Sequence, residues 1–153
     1  MHPLRRSGLL EDLATLTDNE AEAAADVLCA FAAMRLGCTA LVTAGAVRVA
    51  AALLSHQSAE LRVRGLLSLG MLAADERGAR QLVESADTMR RLRLLAGSVA
   101  GEGAAQGTAA DSDEAFIAAD VLTSLLRHPT VGPIAAAGMA AGAATNSRSK
   151  SVV

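Results

Sequence analysis

The chain has 153 residues, of which 52% are hydrophobic but only 1% aromatic, with 14 basic against 16 acidic side chains and a formal net charge of −2. That length carries one domain with a real core. The near balance of charge lacks the basic excess that nonspecific binding to nucleic acid or an acidic membrane requires.

In chain order, the N-terminal "MHPLRRSGLLEDLATLTD" begins with a short basic run that Glu11 and Asp12 interrupt, so it does not read as a secretory signal; residues 1–8 read as a tail. "EAEAAADVLCAFAA" then places Ala24, Val27, Leu28 and Phe31 at spacings of three and four, one stripe of a helix over Glu20–Ala33. Asn19 is its expected cap, and Glu20 and Glu22 suit the positive end of the helix dipole. Cys29 and Cys38, the two cysteines, are too far apart for a paired-thiol metal site. They read as small buried hydrophobes in a reducing compartment.

"LVTAGAVRVAAALL", Leu41 to Leu54, predicts two short helices with a sharp turn at Gly45. Ser58 caps the next long helix, Glu60–Ala73, whose apolar stripe is Leu61, Leu66, Leu69 and Leu72. "LVESADTMRRLRLL", Leu82 to Leu95, repeats the earlier block, with its turn at Ala86. Residues 97–112, rich in Gly, Ala and Ser, read as a flexible insert. A third long helix, Asp113–Leu126, carries Ile117, Val121, Leu122 and Leu125, and a further turn is expected at Gly138. "IAAAGMAAGAA" is too short and too weakly apolar to span a bilayer. Residues 145–153 read as a disordered polar tail, and Ser151 to Val153 fits the loose pattern of a PDZ-domain ligand.

The two blocks starting at Leu41 and Leu82 stand 41 residues apart, as do Leu28 and Leu69. "AADVL" at Ala24 recurs at Ala118, and "PIAAAGM" from Pro133 echoes "ALVTAGA". A period near 40 residues with two or three helices per unit marks a stack of helical repeats.

"ARQLVESADTMRRLRLL" followed back to "AELRVRGLLSLGMLAA" resembles the armadillo repeat, over roughly Leu9 to Ala144, with HEAT repeats as the near neighbour. The resemblance implies an all-α, right-handed α-solenoid of about three repeats over residues 9–144. It also implies a non-catalytic scaffold in the cytoplasm or nucleus, binding another protein through a concave groove of third helices.

Armadillo proteins that hold extended peptides carry Trp and Asn on the third helix. At the matching positions this chain has Asp26, Leu67 and Asp120 for Trp, and Ala30, Met71 and Ser124 for Asn. Without an Asn ladder, capture of a peptide backbone is not expected. The candidate groove is instead Asp26, Arg64, Leu67, Met71, Asp120 and Ser124, either a mixed recognition surface or a solvated face whose charges pair across units.

The order "VRGLLSLGML" then "LLRHPTVGPIAAAGM" is similar to armadillo proteins that clasp Hsp70 and promote nucleotide exchange, an alternative function. A small enzyme has no supporting constellation: "GEGAAQG" has the wrong spacing for a dinucleotide loop, and no acid or nucleophile stands at a recognisable spacing from His56 or His128. No cofactor or metal is expected. Arg90, Arg91 and Arg93 form either a basic docking patch on the opposite side or a solvated face. Neither end of the stack looks capped, so a marginal monomer that self-associates through the ends or needs additional chain is expected.

Overall fold

The computed structural model describes residues 17–97 and 109–148, and every regular element among them is helical. The helices are α1 (Asp18–Ala32), α2 (Arg35–Ala44), α3 (Ala46–Leu53), α4 (Ala59–Leu72), α5 (Glu76–Glu84), α6 (Ala86–Gly97), α7 (Ala109–Arg127) and α8 (Gly132–Arg148). The expected N-terminal tail, most of the insert and the Ser-Val-Val ending lie outside the described residues. α7 begins inside the span read as insert, and α8 continues into the span read as tail.

Two of the expected signals act where the sequence puts them. Gly45 adopts a left-handed φ of 88°, which turns α2 into α3 at 86°. Ser58 is the N-cap residue of α4. Others act differently. α1 starts two residues early, at Thr17, whose backbone N–H and hydroxyl both donate to Glu20 at 2.9 and 2.8 Å; Asn19 lies inside the helix. Those bonds favour the charged form and hold the Glu20 carboxyl below its usual range. At the second turn no left-handed residue is needed, because Ser85 breaks the chain in extended geometry. Gly138 sits inside the continuous α8, and no turn forms there.

α4 is the centre of the molecule. Its Leu61, Leu66, Leu69 and Leu72 are each 0% exposed, and burying a leucine fully contributes about 1.5–3 kcal/mol. α1 lies along one side of α4, with Arg64 against Asp26 and Ser68 against Cys29, whose sulfur and hydroxyl are 3.1 Å apart. α7 lies along the other side, with Arg62 on Glu114 and Gly70 facing Val121. In each pair the residue numbers rise together, so α1, α4 and α7 run parallel. α3 packs close on α4 at Gly65, where a side chain would collide with Leu53 and the Ala50 carbonyl. α6 packs on α7 in the corresponding place.

α1, α4 and α7 each hand over to the next helix through the same device. A Cβ on Gly37 would fall on the Phe31 carbonyl oxygen, one on Gly78 on that of Leu72, and one on Gly132 on that of Leu126. The glycine stands six residues after the carbonyl every time, so the following helix starts tight against the last turn of the one before it. Asp75 fixes the middle handover: its carboxylate accepts from the N–H of Arg77 and Gly78 and from the Thr39 hydroxyl of α2.

The buried Arg62–Glu114 pair joins α4 to α7. The guanidinium meets the carboxylate with two bonds, 2.9 and 2.7 Å, while its remaining nitrogen donates to the carbonyls of His56 and Gln57 in the α3–α4 turn. Glu114 is almost wholly inaccessible. Removing one partner of a buried pair strands the other, at a cost of about 3–5 kcal/mol.

Two predictions follow from these packing features. Glu114→Ala should lower unfolding free energy in urea by about 3 kcal/mol or more, whereas Arg80→Ala, which breaks an exposed pair with Glu76, should cost under about 0.5 kcal/mol. Gly78→Ala should destabilise by about 1–3 kcal/mol through the forced backbone shift. Gly138→Ala, with open space around it inside α8, should instead stabilise by about 0.5–1 kcal/mol.

Candidate functional site

Parallel packing of three amphipathic helices leaves each with one outward stripe, and the three stripes together make a face. On α4 the stripe runs through Glu60, Arg64, Leu67 and Met71; on α7 it runs through Phe116, Asp120 and Ser124; on α1 it includes Asp26 and Ala30.

Of the residues expected there from sequence, Asp26 and Arg64 are brought into direct contact. Arg64 Nε donates to Asp26 at 2.6 Å, and a second guanidinium nitrogen donates to Glu60 at 2.8 Å. These bonds raise the Arg64 pKa further above its ordinary value, the Asp26 hydrogen bond foremost. Leu67 is 42% exposed, an isolated apolar side chain beside the ion pair. Met71 is half-buried: it packs on the core, and its carbonyl lies 3.5 Å from the Cys38 sulfur. Asp120 and Ser124 are exposed on α7. Arg64 therefore sits with its charge already matched, while Leu67, Asp120 and Ser124 face solvent.

Phe116 was not among the expected site residues. It is 76% exposed and stands one turn before Asp120 on the same stripe. It is one of two phenylalanines in a chain without Trp or Tyr. A signal was present: an aromatic four residues ahead of an acid on the polar side of an amphipathic helix has no reason to be buried. The stripe expected on α1 is corrected in the same sense. Val27 and Phe31 are 58% and 50% exposed, and the buried positions are Ala21, Ala25 and Ala32. Small residues line the inner side of α1 because α4 lies too close for larger ones.

The remaining candidates are structural in place. His56 Nδ1 accepts from the Ser58 N–H, and His128 Nδ1 lies 3.1 Å from the Thr130 hydroxyl, so both rings brace the turns in which they stand. Cys38 is buried, Cys29 half-buried, and neither is in a disulfide; burial, with Asp75 nearby, pushes the Cys38 thiol pKa up. Of the three arginines on α6, Arg90 and Arg91 both bond Asp87, whose carboxyl they hold below its usual range, and Arg93 donates to the Met89 carbonyl. Among the described residues no three His, Cys, Asp or Glu side chains gather as a metal site requires. None of the described helices is singly long and apolar enough to cross a membrane.

Because Asp26 is 63% exposed, water screens its pair with Arg64. A double-mutant cycle of Asp26→Ala and Arg64→Ala should return a coupling of about 0.2–1 kcal/mol; several kcal/mol would mean that the pair is a structural tie like Arg62–Glu114.

Compared with protein-family models, with curated proteins and with solved structures, the chain finds no match.

Proposed function

We infer that the protein is a non-catalytic binding module, an armadillo-like right-handed solenoid that takes a partner protein along the face shared by α1, α4 and α7. The observation that carries this reading is Phe116. A chain this poor in aromatics holds one almost fully in solvent, beside Asp120 and on the helix next to exposed Leu67. Aromatic side chains supply large contact area for few rotatable bonds and dominate binding energetics where they are exposed for a partner.

The repeated register supports the solenoid. Cys29 faces Ser68 across α1–α4, and Gly70 faces Val121 across α4–α7. Gly70 is Cys29 advanced by the 41-residue period, and Val121 falls where the recurrence of "AADVL" puts it. The same step relates Gly37 to Gly78.

Without Asn at Ala30, Met71 or Ser124, the face reads side chains rather than a peptide backbone. Leu67 and Phe116 offer apolar anchors, and Asp120 offers a carboxylate to a basic group of the partner. Arg64 joins the contact by exchanging Asp26 or Glu60 for a partner acid. The two free thiols suit a reducing compartment, the cytoplasm or nucleus.

The test is affinity capture with the full chain, partners identified by mass spectrometry, and affinities then measured by calorimetry. Leu67→Glu and Phe116→Glu should each weaken the partner at least tenfold, about 1.4 kcal/mol, and Arg64→Glu by about 2 kcal/mol. Arg91→Glu, on α6, should leave affinity unchanged. Loss with Arg91→Glu and retention with the other three would move the site to the opposite side. The Hsp70 ATPase domain is the first probe: its capture, with faster nucleotide release, would make the protein a co-chaperone acting through the same face.

A further inference from the structure

A second apolar surface lies away from the shared face. α1, α2 and α3 enclose a half-open cavity of about 240 Å³ whose lining includes Val27, Leu28, Phe31, Leu41 and Val49, with almost no polar surface. Val27 and Phe31 are the exposed residues of α1 already noted, and Met34, where α1 turns into α2, is 52% exposed.

The molecule carries its own comparison for this surface. One 41-residue step onward from Val27, Phe31 and Leu41 stand Ser68, Leu72 and Leu82, and all three are 0% exposed. What seals that inner surface is the preceding pair of helices. Cys29 of α1 lies on Ser68, Val42 of α2 presses on Gly78, and Thr39 of α2 donates to Asp75. Among the described residues, the cavity at the α1 end is the same surface without that cover.

At the other end of the molecule, α7 and α8 hold the places that α1 and α2 hold at the first, their junction glycine Gly132 matching Gly37. α8 bears no charged side chain from Gly132 to Ala140, and Ile134 is 51% exposed. Matched by those glycines, Ile134 occupies the place of Thr39. One step back from Asp75 is Met34. The polar Thr39–Asp75 contact inside the molecule thus has as its counterpart between two molecules an apolar pair, Ile134 against Met34. By the recurrence of "AADVL" from Ala24 to Ala118, Thr123 takes the place of Cys29, and one 41-residue step back from Ser68 is Val27.

We propose that a second copy of this chain docks its α7–α8 end into the α1–α3 cavity, so that molecules stack head to tail. The two surfaces differ, so the contact is heterologous and does not close on itself after one pairing. This inference rests on the same repeat register as the proposed function but uses residues outside the shared face, so the two fail separately.

The experiment is sedimentation velocity on the full chain at rising concentration. Wild type should form dimers and longer species. Phe31→Glu, at an exposed position, should remain monomeric with unchanged helicity, as should Ile134→Glu; Met34→Lys is a second block of the cavity. Mixing Phe31→Glu with Ile134→Glu should restore a dimer and nothing larger, since each variant keeps one good surface. A wild type that stays monomeric, variants that still assemble, or a mixture that stays monomeric would each overturn the proposal. Assembly that starts only after residues 1–16 are removed would also overturn it, and would name those residues as the occupant.

Discussion

The arrangement of this molecule depends on how closely one helix can start against the end of the helix before it. At Gly37, Gly78 and Gly132 the following helix begins with its backbone on a carbonyl of the preceding last turn, and any side chain there would occupy the same space as that oxygen. Because the handover is the same each time, each long helix leaves its junction in the same relation to the helix before it. Parallel α1, α4 and α7, and the single face that they share, follow from that repetition.

With α4 held between two parallel neighbours, its side chains have no free side except the outward stripe: Leu61, Leu66, Leu69 and Leu72 are sealed, and Leu67, on that stripe, is exposed. Close packing then dictates side-chain size: Gly65 against α3, Gly70 against α7, and alanines on the inner side of α1. Among the described residues the one buried charge, Glu114, is met by a two-pronged Arg62 that also closes the α3–α4 turn. A pair held this way contributes less to net stability than to fixing which residues of α4 and α7 lie opposite each other. The Arg64–Asp26 pair, in water on the outer face, is of the other kind: cheap to break and so free to change partner.

The all-helical class and the α4 core were legible because Leu61, Leu66, Leu69 and Leu72 recur on one face of a helix, whereas α8, continuous through Gly138, and the early start of α7 were not. The α1 stripe was misread for the opposite reason. In an alanine-rich helix the large residues need not face inward, because a close neighbour selects small ones, and periodicity counts Val27 and Phe31 as core. Gly45 was readable from its place between two apolar runs. Gly37, Gly78 and Gly132 were passed over because no local pattern marks them, and only the three-dimensional approach of a carbonyl gives them a role. Arg62 and Glu114 are 52 positions apart, and no local pattern pairs them. Asp26, Arg64 and Leu67 were placed on outward stripes by the 41-residue register, and Asp120 and Ser124 by the recurrence of "AADVL", while Met71 turned half inward because α4 is packed on both sides. Phe116 carried a readable signal, an aromatic on a polar stripe, that the search for charged and Asn-like positions did not use.

The proposed binding face joins three features: a row of parallel helices, an Arg64 whose charge is met by Asp26 and Glu60, and exposed Leu67, Phe116 and Asp120 beside it. On that proposal Arg90 and Arg91, tied to Asp87, take no part in binding. The most direct measurement is amide hydrogen exchange of the chain alone and bound to the protein it captures. The account predicts slowed exchange concentrated on α4 and on α7 around Phe116 and Asp120, with α3 and α6 unchanged. Slowing confined to α3 and α6, with α4 and α7 untouched, would contradict it.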